Sequence, residues 1–291
     1  MNELLEPALL AQLERLQLAS RRRLAGRFTG EHRSPRFGNS LDFADEREYH
    51  PGDDYRRIDY ALYARTGQLF IKLFEAEDEL NLRLLVDTSA SMGHYGKLRQ
   101  AVRVAGAIGF LALTRRDIVT LHLEPPSRPA QRFTGRHAVG ALFDVLGGLE
   151  TAGRTDLRTA AQDLLARPGP AGATVVISDL LTPSWEPAID RLPARGGDVT
   201  ILHVLAAEEI SPSLEGELSG DVDVIDAETA ERVAVSLSHD SVRSYTAAVQ
   251  AWLADCAARC RSRGAAYQLV PAEQPIAEVV LGGLREHGVA R

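Results

Sequence analysis

Four short apolar runs, residues 80–86, 118–123, 173–178 and 199–205, constrain the fold of this chain more than any other feature. Each is six or seven residues long and almost unbroken by charge. Between them lie segments with helical periodicity: 97–114, then 136–147 and 156–166, then 184–192. A strand that is apolar throughout, rather than at alternate positions, is covered on both faces, and strands separated by helices can run parallel. The pattern predicts an α/β fold, a doubly wound and mostly parallel sheet with helices on either side. Beyond it, 222–225 and 233–236 read as a short hairpin, 242–261 as a long helix, 266–270 as a last strand and 276–284 as a closing helix.

The N-terminal quarter reads differently. Leu9, Leu13 and Leu16 repeat at helical spacing and Arg21, Arg22 and Arg23 follow, which predicts an amphipathic helix over 9–24 with cations in its last turn. Residues 26–67 lose periodicity but carry Phe28, Phe37, Phe43, Tyr49, Tyr55, Tyr60 and Tyr63, an aromatic load that disfavours disorder. Arg33, Arg36, Arg47, Arg56, Arg57 and Arg65 alternate there with Asp42, Asp45, Glu46, Asp53, Asp54 and Asp59. Such a balanced set can hold a segment through bidentate arginine–carboxylate pairs, or offer a docking surface. Residues 69–74 read as a strand. The expected organisation is an N-terminal extension, residues 1–77, of helix, loops and short strands packed on a sheet domain, residues 78–291.

Composition narrows the function classes. A chain of 291 residues that is 45% hydrophobic buries a full core. The net charge of −7 argues against nucleic acid as a partner. The longest uncharged apolar run, 104–113, is half of the roughly 20 residues that span a bilayer. Residues 1–7 show no basic region of a secretory leader, so a cytoplasmic protein without a membrane span is expected. Cys256 and Cys260 share one helix face with Trp252 and Leu253, which reads as buried packing rather than a redox pair.

The chemistry gathers where strands end. The run 81–86 leads into Asp87-Thr88-Ser89-Ala90-Ser91-Met92-Gly93, and the run 174–177 into Ser178-Asp179-Leu180. Between them, Gly153-Arg154-Thr155-Asp156 offers another hydroxyl before a helix. Open parallel sheets bind ligands at the carboxyl ends of their strands. An extended segment would aim Asp87, Ser89 and Ser91 to one side. If the two strands are neighbours, Asp87, Ser89, Ser91, Thr155 and Asp179 converge as an oxygen-only set suited to Mg²⁺ or Mn²⁺. His32 and His50 stand outside any metal-ligand spacing.

Asp-x-Ser-x-Ser, a loop threonine and a strand-end aspartate, in that order, resemble the metal-ion-dependent adhesion site of von Willebrand factor A domains, a Rossmann-type fold. The resemblance implies that Ser89, Ser91 and Thr155 ligate the ion and that Asp87 and Asp179 hold it mainly through water. It makes Asp156 a helix-start residue or a support for the ligands. Gly30-Glu31-His32-Arg33-Ser34-Pro35-Arg36-Phe37-Gly38, Ser40-Leu41-Asp42-Phe43-Ala44-Asp45, Tyr49-His50-Pro51-Gly52-Asp53-Asp54 and Arg56-Arg57-Ile58-Asp59-Tyr60, with Lys72, Phe74, Glu75 and Glu77, resemble the bacterial domain of unknown function 58 family. The likeness covers most of residues 26–115 and departs at Tyr60, where the family usually has tryptophan. It implies a von Willebrand A-like domain, a MoxR-type AAA+ ATPase as partner, and a role in assembling or activating other proteins.

The expected function is therefore a metal-dependent protein–protein interaction module, not an enzyme, whose bound cation receives an acidic residue of a client. The alternatives are a metal-dependent phosphohydrolase and a structural adaptor with a vestigial metal site. Neither Gly-x-x-x-x-Gly-Lys-Ser/Thr nor Gly-x-Ser-x-Gly occurs, and Ser89 stands where aspartate-nucleophile phosphatases carry a second aspartate.

Overall fold

In the computed structural model the described residues are 4–14, 43–74, 80–167, 172–195, 197–212 and 220–280. The chain divides into two compact units, residues 1–23 with 80–291, and residues 24–79. Helix α1 (Pro7–Leu13) has proline in its first turn, where a backbone donor is dispensable. It buries Leu9 and Leu13 with Leu5 in the core of the first unit. Helix α1 thus groups with the sheet. The helix begins before the expected 9–24, and residues 15–24 lie outside the described ones.

In the second unit, β1 (Phe43–Glu48) pairs antiparallel with β2 (Phe70–Phe74), and α2 (Tyr60–Thr66) lies between them in sequence. Asp59 caps α2 by accepting from the Ala61 and Leu62 amides at 2.8 and 2.9 Å, and it pairs with Lys72 of β2 at 3.1 Å. The glycine that ends α2, Gly67, sits at φ 72°, the left-handed conformation that closes helices. Arg47 and Asp53 form a bidentate pair, at 2.8 and 2.6 Å, of the kind that such a balanced set can make. Together with the His50 amide, Arg47 holds the Asp53 carboxyl down at about 2. Arg33, Arg36 and Asp42 lie outside the described residues. Regular structure in this segment was not expected before residue 69. β1 is nearly all charge after Phe43 and becomes a strand through pairing with β2, which sets Glu46 opposite Lys72.

The first unit carries β3 (Asn81–Asp87), α3 (Lys97–Thr114), β4 (Ile118–Glu124), β5 (Gln131–Thr134), α4 (Val139–Gly147), α5 (Leu157–Ala166), β6 (Thr174–Ser178), α6 (Trp185–Arg191), β7 (Val199–Leu205) and α7 (Ala207–Ile210). The hairpin β8 (Gly220–Ile225) and β9 (Arg232–Leu237), then α8 (His239–Ser262), β10 (Ala266–Pro271) and α9 (Ile276–Glu278), complete it. Six strands form one sheet in the order β10-β7-β6-β3-β4-β5, parallel except for β5 at one edge. This is the expected mixed α/β architecture with a mostly parallel sheet. β5 was not foreseen. It is four residues long with Phe133 alone buried, too short to show a pattern.

Both faces of the sheet are covered, and successive residues alternate between them. Leu82, Leu84, Val86, Val175 and Ile177 pack with α1, α3, α4 and α9. Leu85, Val176 and Ile201 pack with α5, α6 and the Cys256–Cys260 face of α8. Both thiols are fully buried and free, and burial pushes them up to about 12 and about 11, as expected of packing residues. The chain leaves β3 toward β4 and β5, then returns across β3 to build β6, β7 and β10 on the other side. The strand order therefore reverses between β3 and β6, and the crevice at their carboxyl ends is where such sheets bind ligands.

Candidate functional site

The expected adjacency is present: β3 and β6 are parallel neighbours, with Val86 opposite Ile177, so Asp87 and Ser178 end the two strands side by side. Asp87 is buried, and both carboxylate oxygens accept hydrogen bonds. Oδ1 takes the Ser89 amide at 2.9 Å and the Thr155 hydroxyl at 2.8 Å; Oδ2 takes the Ser178 hydroxyl at 2.5 Å. Burial raises the Asp87 pKa above the usual carboxylate range and the charge of Asp179 adds to it, while the Ser178 and Ser89 donors oppose the shift.

Ser89 and Ser91 meet, but not in the way their spacing implies. In an extended strand, residues i and i+2 stand about 6.6 Å apart. Here Ser89 is extended and precedes a 3-10 turn, Ala90–Gly93, that folds Ser91 back until the two hydroxyls lie 3.0 Å apart. The loop bearing Thr155 is stitched to this turn by Ala90 N–H to Gly153 C=O at 3.1 Å and Ala152 N–H to Thr88 C=O at 2.9 Å. Gly153 takes φ 77° there, which L side chains rarely adopt. Asp156 starts α5, capping the Thr159 amide at 3.2 Å. Its own amide is held by Glu124 Oε1 at 3.0 Å, and burial lifts Glu124 to about 7.

Asp179 follows β6, and Leu180 after it turns the chain at φ 53°. One Asp179 oxygen accepts the Leu181 amide at 3.1 Å; the other pairs with the Lys97 ammonium at 2.8 Å. Lys97 also pairs with Glu209 of α7 at 2.5 Å. Burial alone would lower the Lys97 pKa, but the two carboxylates raise it, so it is a fixed positive charge. Below the pair, His203 Nε2 bonds the Asp179 carbonyl at 2.8 Å, and because a carbonyl only accepts, Nδ1 is left to accept from the Tyr267 hydroxyl at 2.8 Å. Burial pushes His203 down to about 4, consistent with this neutral form.

A further carboxylate enters from the β8–β9 turn. Glu228 Oε1 lies 3.5 Å from the Ser91 hydroxyl. Burial raises its pKa and the Asp87 and Asp179 charges push in the same direction, while Ser89 and the Thr155 backbone are close enough to oppose the shift. The structure thus links Asp87, Ser89, Ser91 and Thr155 by hydrogen bonds and sets Asp179 within their electrostatic reach. Sequence reasoning missed Ser178, Lys97, Glu209, His203 and Glu228. Ser178 was within reach, since it stands at the end of a predicted strand beside Asp179. The rest arrive from distant segments and leave no local signal.

Among the described residues no three histidine, cysteine or acidic side chains converge as a metal cage. The donors here are instead hydroxyls with flanking carboxylates, and their spacing fits a small hard cation. Octahedral Mg²⁺ binds oxygen at about 2.0–2.1 Å, which puts adjacent ligands about 2.9 Å apart. The Ser89 and Ser91 hydroxyls, hydrogen-bonded to each other at 3.0 Å, stand close to that separation. A Thr155 hydroxyl that donates its proton to Asp87 keeps its lone pairs for an ion. Asp179 and Glu209 pair with the Lys97 ammonium while Asp87 and Glu228 feel the Asp179 charge, an acidic surplus that a divalent cation would offset.

The family model described as "Protein of unknown function DUF58" matches residues 45–252. The uncharacterized proteins Rv1480 of Mycobacterium tuberculosis and Mb1516 of Mycobacterium bovis are each 32% identical over 274 residues, covering 89% of this chain and 84% of theirs. Among solved structures, the conserved hypothetical protein BatB from Bacteroides thetaiotaomicron aligns with 14% identity and a TM-score of 0.44, covering 72% of this chain and 98% of that one.

Proposed function

The chain belongs to the family described as protein of unknown function DUF58, and from that premise and the strand-end geometry we propose that it is a divalent-cation-dependent protein–protein interaction module. In this reading the sheet unit is a von Willebrand factor A-like domain, and Ser89, Ser91 and Thr155 hold Mg²⁺ or Mn²⁺ with Asp87 and Asp179 behind them. The observation that carries the reading is the Ser89–Ser91 hydroxyl pair at 3.0 Å, placed by a turn that Asp87 itself fixes.

The bound ion would supply a positive centre that an acidic client residue can join. The chain's own residues do the rest. Asp87 orients the Thr155 hydroxyl and the Ser89 amide, Ser178 steadies Asp87, and Lys97 with His203 steadies Asp179. In this reading the chain is not an enzyme; Asp87, the carboxylate a phosphohydrolase would use as nucleophile, has both oxygens engaged by three donors, which speaks for a supporting role. A MoxR-type AAA+ ATPase in the bacterial cytoplasm is the partner that the family resemblance implies. No helix among the described residues is long and apolar enough to cross a membrane.

A second reading has a specific observation behind it. The Lys97 ammonium already contacts Asp179, so a structural adaptor could use Lys97 as a permanent cation in place of a metal. Affinity purification with the full chain separates the two. Retention of a MoxR-type ATPase in Mg²⁺, lost in EDTA and lost in Ser89→Ala, is the expected result. Equal retention under all three conditions supports the adaptor.

A further inference from the structure

Glu228 has no counterpart in either strand-end motif. The hairpin that carries it is mostly exposed, and Val224, Ile225 and Val233 are each more than half open to solvent. A lone two-stranded hairpin is marginally stable in water, so this arm depends on what its ends touch. Its tip is well built. The Asp226 carboxylate accepts the Glu228 and Thr229 amides at 2.8 and 2.7 Å, and the Ala230 amide closes on the Asp226 carbonyl at 2.9 Å. Within residues 226–230 Glu228 alone is half-buried and the rest are exposed.

The side chain so presented reaches the Ser91 hydroxyl at 3.5 Å, one of the groups around the proposed ion, with Ser89 and Thr155 beside it. Glu228 is half-buried with the Asp87 and Asp179 charges nearby, and a cation among them would offset that repulsion. We propose that Glu228 is a built-in carboxylate ligand of the strand-end site, holding the place that a partner's acidic residue must take. The inference rests on the reading of that site as a divalent-cation centre. It deepens that reading by naming the competitor: the β8–β9 tip has to leave before a partner can enter.

A tethered ligand competes at an effective concentration of about millimolar. Free carboxylates therefore compete poorly. The partner this selects is a protein that presents an acidic side chain on a protruding turn and makes further contacts around it, as the hairpin does.

The test uses the full chain, Glu228→Ala and a control at the exposed Glu231, Glu231→Ala, with Mg²⁺ and Mn²⁺ alone as probes. All three should unfold at the same temperature in EDTA. Glu228→Ala should bind Mg²⁺ roughly tenfold more weakly, the loss of one charge-assisted contact. Its Mn²⁺ complex should relax water protons faster than the wild type, since water replaces the carboxylate. In the wild type, which needs no variant, Mg²⁺ should slow hydrogen exchange at the Glu228 and Thr229 amides. Equal Mg²⁺ affinity with unchanged relaxation and exchange overturns the inference while the cation site stands. Absence of Mg²⁺ binding by the wild type overturns the cation site and this inference with it.

Discussion

Two ion pairs in the sheet unit have nearly the same length and opposite surroundings. Lys97 meets Asp179 at 2.8 Å with both side chains almost wholly buried, 1% and 2% exposed. Arg259 of α8 meets Asp190 of α6 at 2.9 Å with 29% and 26% exposed, and shares Asp190 with Arg263. The outer set ties two helices where water can replace either partner. The inner pair sits at the switch point of the sheet, where losing one partner strands a charge in the interior. Distance alone therefore says little about what a pair does. The inner pair also positions the aspartate of the candidate site, so fold stability and site geometry are coupled there.

The largest effect expected from this contrast is at Lys97. Lys97→Met should destabilise the protein by about 3–5 kcal/mol, the usual consequence of leaving a buried charge unpaired. Urea unfolding measures it, and a loss below about 1 kcal/mol would erase the distinction between the two pairs. Arg259→Ala should be far milder despite removing contacts to both Asp190 and Glu186. A cost of about 1 kcal/mol or less is expected in the same assay. The smallest effect belongs to the Arg47–Asp53 pair in the other unit. Asp53 is held at about 2, below its unfolded value of about 3.9. Its contribution is present above about pH 4 and fades as the pH falls toward 2. An NMR titration of the Asp53 carboxyl should show a midpoint near 2, and a midpoint near 4 would mean the pair adds nothing.

The parts of this molecule legible in its sequence are those whose cause is local. β3, β6 and β7 are buried along almost their whole length, so their apolar runs announce them. α3 spans 97–114, as its periodicity predicts. Asp87, Ser89, Thr155 and Asp179 stand at or just beyond strand ends or before a helix, and the order of elements brings them together. What the sequence hid depends on distant partners. Lys97 opens a helix where a lysine ordinarily faces water, and it is buried because Asp179 and Glu209 meet it from elsewhere in the chain. Glu228 lies on a charged turn and reaches Ser91 across 137 positions. Ser91 does meet Ser89, but a 3-10 turn, not strand alternation, sets it there.

The account stands on the hydroxyl and carboxylate oxygens between β3 and β6 accepting a hard divalent ion. Isothermal titration of the full chain with Mg²⁺ tests this most directly, with Ser89→Ala alongside. Saturable binding by the wild type that the variant loses is the predicted result; absence of heat from the wild type up to millimolar Mg²⁺ would contradict it.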